Sequence, residues 1–208
     1  ALVDQSLTFF TGAYHVIGPD GKLTSLPLQE SADLAGFYAG RLLFTLREAW
    51  EVDGQTHAQG ALLAINAAVF QATGKLPSIE TIYTPDERTS IEGVTVSRSG
   101  LYVTLLQNVK GRILRFSVNP QSGQWSSKLV PLPENGTVSI SAAGPHSDTI
   151  FINYEDHVTP DRLSEFDADA NKFSTLKSLA ARFDAGELEV HQHMSKSADG
   201  TEVPYFVI

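Results

Sequence analysis

The sequence contains no cysteine, which removes disulfide frameworks, CxxC redox pairs and thiolate metal sites and leaves the redox compartment open. It also lacks an excess of positive charge: 24 Asp and Glu stand against 15 Lys and Arg, for a formal net charge of −9. Duplex binding requires clustered cations that displace phosphate counterions, so no nucleic-acid partner is expected. The same balance works against docking on an anionic membrane. No apolar run approaches the ~18 residues of a membrane span, and the longest, 61–70, is broken by Asn66. No basic stretch followed by a hydrophobic one opens the chain, so no signal peptide is expected in it. Sustained helical periodicity is missing too, with only 66–72 and 176–181 offering a helical turn or two.

The common catalytic signatures are absent as well. A nucleophile elbow needs Gly-x-Ser-x-Gly, and none occurs. There is no glycine-rich phosphate loop and no HExxH. Asp167-Ala168-Asp169 echoes a calcium loop but lacks the glycine and distal glutamate, so a turn between strands is expected there.

What the 208 residues do contain is strand signal, enough for one large domain or two small ones. Leu42–Leu46, Leu101–Leu106 and Thr149–Tyr154 are short β-branched and aromatic runs bounded by Gly, Ser, Asp or Pro. Turn residues recur at Pro19-Asp20-Gly21, Asp53-Gly54, Asn119-Pro120 with Ser122-Gly123, Asn135-Gly136 and Asp199-Gly200. Each strong run follows a weaker one, at Gly36–Gly40, Gly93–Ser97 and Val138–Ser141. Each precedes another, at Gly60–Ile65, Arg112–Ser117 and Arg162–Phe166, before a closing strand such as Ser127–Leu132. A four-strand unit at a period of roughly 40–50 residues is the pattern of propeller blades. The expected fold is therefore all-β, a partial β-propeller of about three to four four-stranded antiparallel blades. Blade boundaries are expected near 33, 90 and 136, with Ser6–Leu28 forming the outer strands of an earlier blade.

Residues that could carry chemistry are scattered. His191 and His193 lie two apart in an expected strand and face one side with Glu189, a zinc-like trio that a solvated polar strand explains as well. His15, His57, His146 and His157 are read as surface residues beside turns. Glu155-Asp156-His157 look catalytic at first, but consecutive residues point apart, so a solvated loop ended by Thr159-Pro160 is expected. Trp50 and Trp125 are read as packing residues, and Arg41, Arg47, Arg88, Arg112 and Arg115 as solvated edge charges. The expectation is thus no catalytic, cofactor-binding or metal-binding residue, and no cofactor.

The C-terminal segment His191-Gln192-His193-Met194-Ser195-Lys196-Ser197-Ala198-Asp199-Gly200-Thr201-Glu202-Val203-Pro204-Tyr205-Phe206 resembles the hairpin that enters the catalytic domain of the prolyl oligopeptidase family of serine peptidases. Glu87–Gly93, Gln107–Arg112, Thr159-Pro160 and Phe183-Asp184-Ala185 also match bacterial members, so the resemblance runs from about Phe9 onward. It implies a partial propeller over 1–186, and over 187–208 the crossover and first hairpin of an α/β-hydrolase domain. The chain would be a non-catalytic, substrate-gating section of an oligopeptidase acting on short peptides, with the Ser, Asp and His of the family's triad lying elsewhere. Its partners would be that hydrolase domain and the remaining blades, and exposed blade faces could pair two copies. Ala1 at the start, Met194 as the sole methionine and the apolar run 203–208 favour a section of a longer protein. The resemblance favours the cytoplasm, with the periplasm as the alternative. Two other classes compete: a free-standing propeller that binds peptide or carbohydrate, and a zinc-dependent hydrolase using His191 and His193.

Overall fold

The structure is a computed structural model that describes residues 1–18 and 20–208. Pro19, of the expected Pro19-Asp20-Gly21 turn, lies outside the described residues. The chain divides into two compact units, Ala1–Asp86 and Glu87–Ile208.

In the first unit, β1 (Leu2–Ser6), β2 (Gly12–Ile17) and β3 (Leu23–Leu26) form a three-stranded antiparallel sheet in chain order. A four-stranded sheet follows from β4 (Ala32–Tyr38) and β5 (Arg41–Leu46) together with β8 (Leu62–Asn66) and β9 (Ile79–Tyr83). A small hairpin, β6 (Trp50–Val52) and β7 (Gln55–His57), is inserted between β5 and β8. Helix α1 (Ala67–Thr73) is inserted before β9. Asn66 starts this helix by accepting from the Ala68 and Val69 N–H groups at 3.0 and 3.1 Å. Gly74 ends it at φ 64°, its N–H on the Phe70 carbonyl. Tyr14 and Leu26 of the first sheet pack with Phe44, Leu46, Leu63 and Ile65 of the second and with Phe70 of α1, a core buried face to face between sheets. Covering both faces of β5 and β8 is what makes their sequences continuous apolar runs rather than alternating ones.

The second unit repeats the plan twice. One sheet comprises β10 (Thr89–Val96), β11 (Leu101–Gln107), β12 (Lys110–Val118) and β13 (Trp125–Leu129). The next comprises β14 (Thr137–Ala142), β15 (Ile150–Glu155), β16 (Arg162–Asp167) and β17 (Lys172–Ser178). Tyr102, Ile113 and Val130 pack against Val138, Ile150, Ile152 and Phe166 between them. A separate two-stranded hairpin, β18 (His191–Lys196) and β19 (Glu202–Val207), completes the unit.

The three four-stranded sheets share a finer feature. Each first strand carries one extra residue opposite the second, between Leu34 and Gly36 in β4, Ile91 and Gly93 in β10, and Ile140 and Ala142 in β14. A bulge bends and further twists its strand, so one local distortion recurs at one place in every repeat. The fold is all-β, a partial propeller of four-stranded blades.

Three local expectations are corrected. The stretch 176–181 is not helical: pairing with β16 carries β17 to Ser178, and the Leu179 N–H then bonds the Asp161 carbonyl at 2.9 Å. Asn135-Gly136 is not a hairpin loop but part of the connection from β13 to β14. His57 is buried rather than superficial, beneath Trp50 and with Nδ1 3.4 Å from Thr81 Oγ1.

Candidate functional site

Most of the polar residues singled out above serve the sheets. Arg41 on β5 reaches across β8 to Glu80 on β9, with Nε 2.8 and 3.0 Å from the carboxylate oxygens. It is therefore a half-sequestered ion pair and not a solvated edge charge. Arg47 pairs with Asp33, whose hydrogen bonds and charge raise the guanidinium pKa further. Arg112 lies 3.5 Å from Glu134, and Arg115 donates to the Ser99 carbonyl and hydroxyl beside buried Tyr102. Burial raises the Tyr102 phenol above its ordinary pKa, and Arg115 partly offsets that. Arg98 and Ser99 fasten the β10–β11 turn to Asp148, and these bonds hold the Asp148 carboxyl below its usual range. Trp50 packs on Phe44 with centroids 6.1 Å apart, and Trp125 sits half-buried at the start of β13.

The histidines are dispersed. His15 bonds Gln5 at 3.1 Å, and His146 lies exposed in the loop before β15. His191 and His193 do share a face, rings 6.4 Å apart, with Glu189 3.1 Å from His191. His193 stacks near Tyr205 instead of completing a ligand set. Among the described residues no group of three His, Asp or Glu is arranged to hold a metal ion. Asp167 accepts from the Asp169 and Ala170 N–H groups at 2.9 Å, so its carboxylate organises the β16–β17 turn.

Glu155-Asp156-His157 form a built loop rather than a loose one. Asp156 accepts from the Tyr154 hydroxyl at 2.8 Å, the Val158 N–H at 2.8 Å and the Thr159 N–H at 2.6 Å. Burial works to raise the Asp156 pKa, but these donors outweigh it and hold the carboxyl below the ordinary range. Burial together with this carboxylate pushes the Tyr154 phenol well above its ordinary value. Tyr154 is also held by its contact with the Glu134 carbonyl, 3.1 Å away, and by Arg162 over its ring. The loop and residues 179–183 line an open groove of about 250 Å³ whose side chains include His157, Asp161, Arg182 and Phe183. Glu155 and His157 are exposed and border the same groove, while the Asp156 carboxylate between them is taken up by the loop's own donors.

The same end of the second unit gathers the hairpin β18–β19. Gln192 Nε2 donates to the Asn108 carbonyl at 2.6 Å, and Asn135 Nδ2 donates to the Val190 carbonyl at 3.1 Å. Arg88 forms an ion pair with Glu202, and the His157 ring lies 5.0 Å from Phe206. Reading along the chain missed this assembly, because its partners are 84, 55 and 114 residues apart.

The repeated sheets define a β-propeller protein, and comparison with known proteins narrows the class. Residues 58–178 match the family model for the prolyl oligopeptidase N-terminal beta-propeller domain. The chain belongs to this family, whose members are serine peptidases. An uncharacterized peptidase, y4nA, from Sinorhizobium fredii is 32% identical over 191 residues, 91% of this chain and 26% of that protein. A post-proline cleaving enzyme from Rickettsia typhi superposes with a TM-score of 0.81 at 17% identity, over 99% of this chain and 30% of that one. Apo prolyl oligopeptidase B from Galerina marginata gives a TM-score of 0.68 at 18% identity, over 96% and 28%. The chain thus spans roughly a quarter to a third of the length of these proteins.

Proposed function

We propose that this chain is the non-catalytic, substrate-gating propeller section of a prolyl oligopeptidase-like serine peptidase that hydrolyses short peptides. In this reading residues 187–208 are the crossover and first hairpin of an α/β-hydrolase domain, and the catalytic Ser, Asp and His belong to that domain. The observation that carries the proposal is the family match over repeated four-stranded sheets in a chain that covers only 26–30% of its peptidase relatives. The polar side chains support it: most are engaged in turns, ion pairs and sheet edges, as a shape-based filter requires and a reaction centre does not. Gating makes a measurable distinction. In the intact peptidase, a short proline-containing peptide should be cleaved rapidly, while the same sequence in an exposed loop of a folded protein is spared. Equal cleavage of both would remove the filtering role.

A further inference from the structure

In a propeller the sheets stand around a central channel. Four of the five residues of β13 are exposed, whereas along β10 only Ser90 and Glu92 are. This places the fourth strand of a sheet on the outside and the first strand at the channel. Among the described residues β4, β10 and β14 each pair along one edge only, with β5, β11 and β15. Each has strands before and after it in the chain, so the free edge belongs to the plan of the sheet. Such an edge is a row of unpaired N–H and C=O groups, a template on which an extended peptide adds as a further strand.

The recurrent bulge spoils that template. Successive residues of a strand turn their backbone groups to alternate edges, and one extra residue puts the groups before it and after it out of step. The extra residues are Ala35, Glu92 and Ser141. Pairing in step is thereby confined to three residues on either side of Ala35, to three before and four after Glu92, and to four before Ser141. The side chains at these places share no chemistry, being a methyl, a carboxylate and a hydroxyl. Glu92 accepts from the Ser90 hydroxyl at 2.5 Å, while Ser141 donates to Asn153 Oδ1 at 2.7 Å. What recurs in each repeat is the backbone irregularity.

We infer that the bulges at Ala35, Glu92 and Ser141 keep extended peptides from adding as strands to the channel edges, so that a peptide is admitted without being held there. The value of this to the enzyme rests on the gating reading, because a filter must release what it admits. The blocked edge itself is a property of the strands.

Peptide binding to the intact peptidase, its serine blocked by a phosphonate, tests this. The probe is a labelled, proline-free peptide of Thr, Ser and Val, compared by fluorescence anisotropy with its counterpart N-methylated at every residue, which cannot donate to a strand edge. The wild type should bind the two within about twofold of each other, less than one hydrogen bond is worth. Deletion of Glu92 turns the eight-residue β10 into one unbroken run of seven. The two or more backbone hydrogen bonds so gained, at about fivefold each, should favour the unmethylated peptide about tenfold or more. Deletion of Ser141 should do the same at β14, and Glu92→Ala, which keeps the bulge, should match the wild type. A preference of about tenfold in the wild type would overturn the inference whether or not the deletions fold. A preference in Glu92→Ala would overturn it by assigning the exclusion to charge. Folded deletion variants without the preference would overturn it by leaving the bulges to strand twist alone. Gating fails separately, on equal cleavage of free peptide and folded loop.

Discussion

Val109 occupies a backbone conformation that its side chain disfavours, and replacing it should stabilise the protein. The β11–β12 hairpin turns through Asn108 and Val109, at φ 48° and 60°, with Gln107 opposite Lys110. Two other hairpins use the same two-residue loop with both φ positive: Ala39-Gly40 at 48° and 78°, and Asp53-Gly54 at 50° and 72°. Glycine fills the second place in both, as this turn prefers. A β-branched residue there is an outlier, and an L-residue in the left-handed region costs about 1–2 kcal/mol. Val109→Gly removes that cost. It also frees the unfolded chain, which returns roughly 0.5–1 kcal/mol, and it loses little burial because the side chain is 48% exposed. The net expectation is a gain of about 0.5–1 kcal/mol, a rise in Tm of about 1–4 °C for a chain of this size. The mirror substitution, Gly40→Val, places a side chain where nothing lies within 4 Å, so its cost is conformational alone. It should destabilise by about 0.5–1 kcal/mol, the left-handed strain less the unfolded-chain freedom that valine removes. Urea titration with both midpoint and slope recorded is the assay. A destabilising Val109→Gly, or a neutral Gly40→Val, refutes the strain argument.

Other expectations concern Gly136, the 155–161 loop and the exposed apolar surface. Gly136→Ala should cost at least about 1–3 kcal/mol in thermal or chemical unfolding, because the Tyr154 ring and a backbone carbonyl must both move; a neutral alanine would mean the closeness is not enforced. Asp156→Asn should destabilise by about 1–2 kcal/mol at pH 7. The Asp156 carboxyl is held below its ordinary range when folded, so its contribution is present above the unfolded value of about 3.9 and fades as pH falls through the lower folded value. The gap between wild type and Asp156→Asn should accordingly close in strong acid, and a gap independent of pH would contradict the assignment. Leu176, Leu179 and Phe183 are exposed apolar side chains at the last blade, so the 208-residue chain should self-associate in light scattering at high concentration. A monodisperse monomer would count against that.

The sequence disclosed the strong strands and their repeat, because runs such as Leu42–Leu46 and Leu101–Leu105 are buried on both faces and cannot be mistaken for solvent-facing residues. Asp53-Gly54 was legible for the reason that makes it work, a cheap positive φ at both places. Asn108-Val109 was not, since valine gives no turn signal and the strand pairing on either side imposes the conformation. The recurrent bulges escaped notice because one additional residue barely alters an alternating pattern; only Gly36 and Gly93 hint at it. Lys172–Ser178 alternates weakly on an exposed edge, which left its end open to a helical reading. Arg41 departs from a solvated edge charge because its carboxylate lies two strands away, a distance no local pattern encodes, whereas Arg47 and Arg88 are half exposed. The contacts that fasten the β18–β19 hairpin were invisible for the same reason, and Gln192 and Asn135 carry no motif at all.

The measurement bearing most directly on the central claim is peptidase activity of residues 1–208 prepared alone, with a proline-containing peptide and a serine-directed phosphonate probe, beside the intact peptidase. The account predicts turnover and labelling for the intact enzyme, and neither for this chain. Turnover by residues 1–208 with the phosphonate attached to one of its own serines would contradict it.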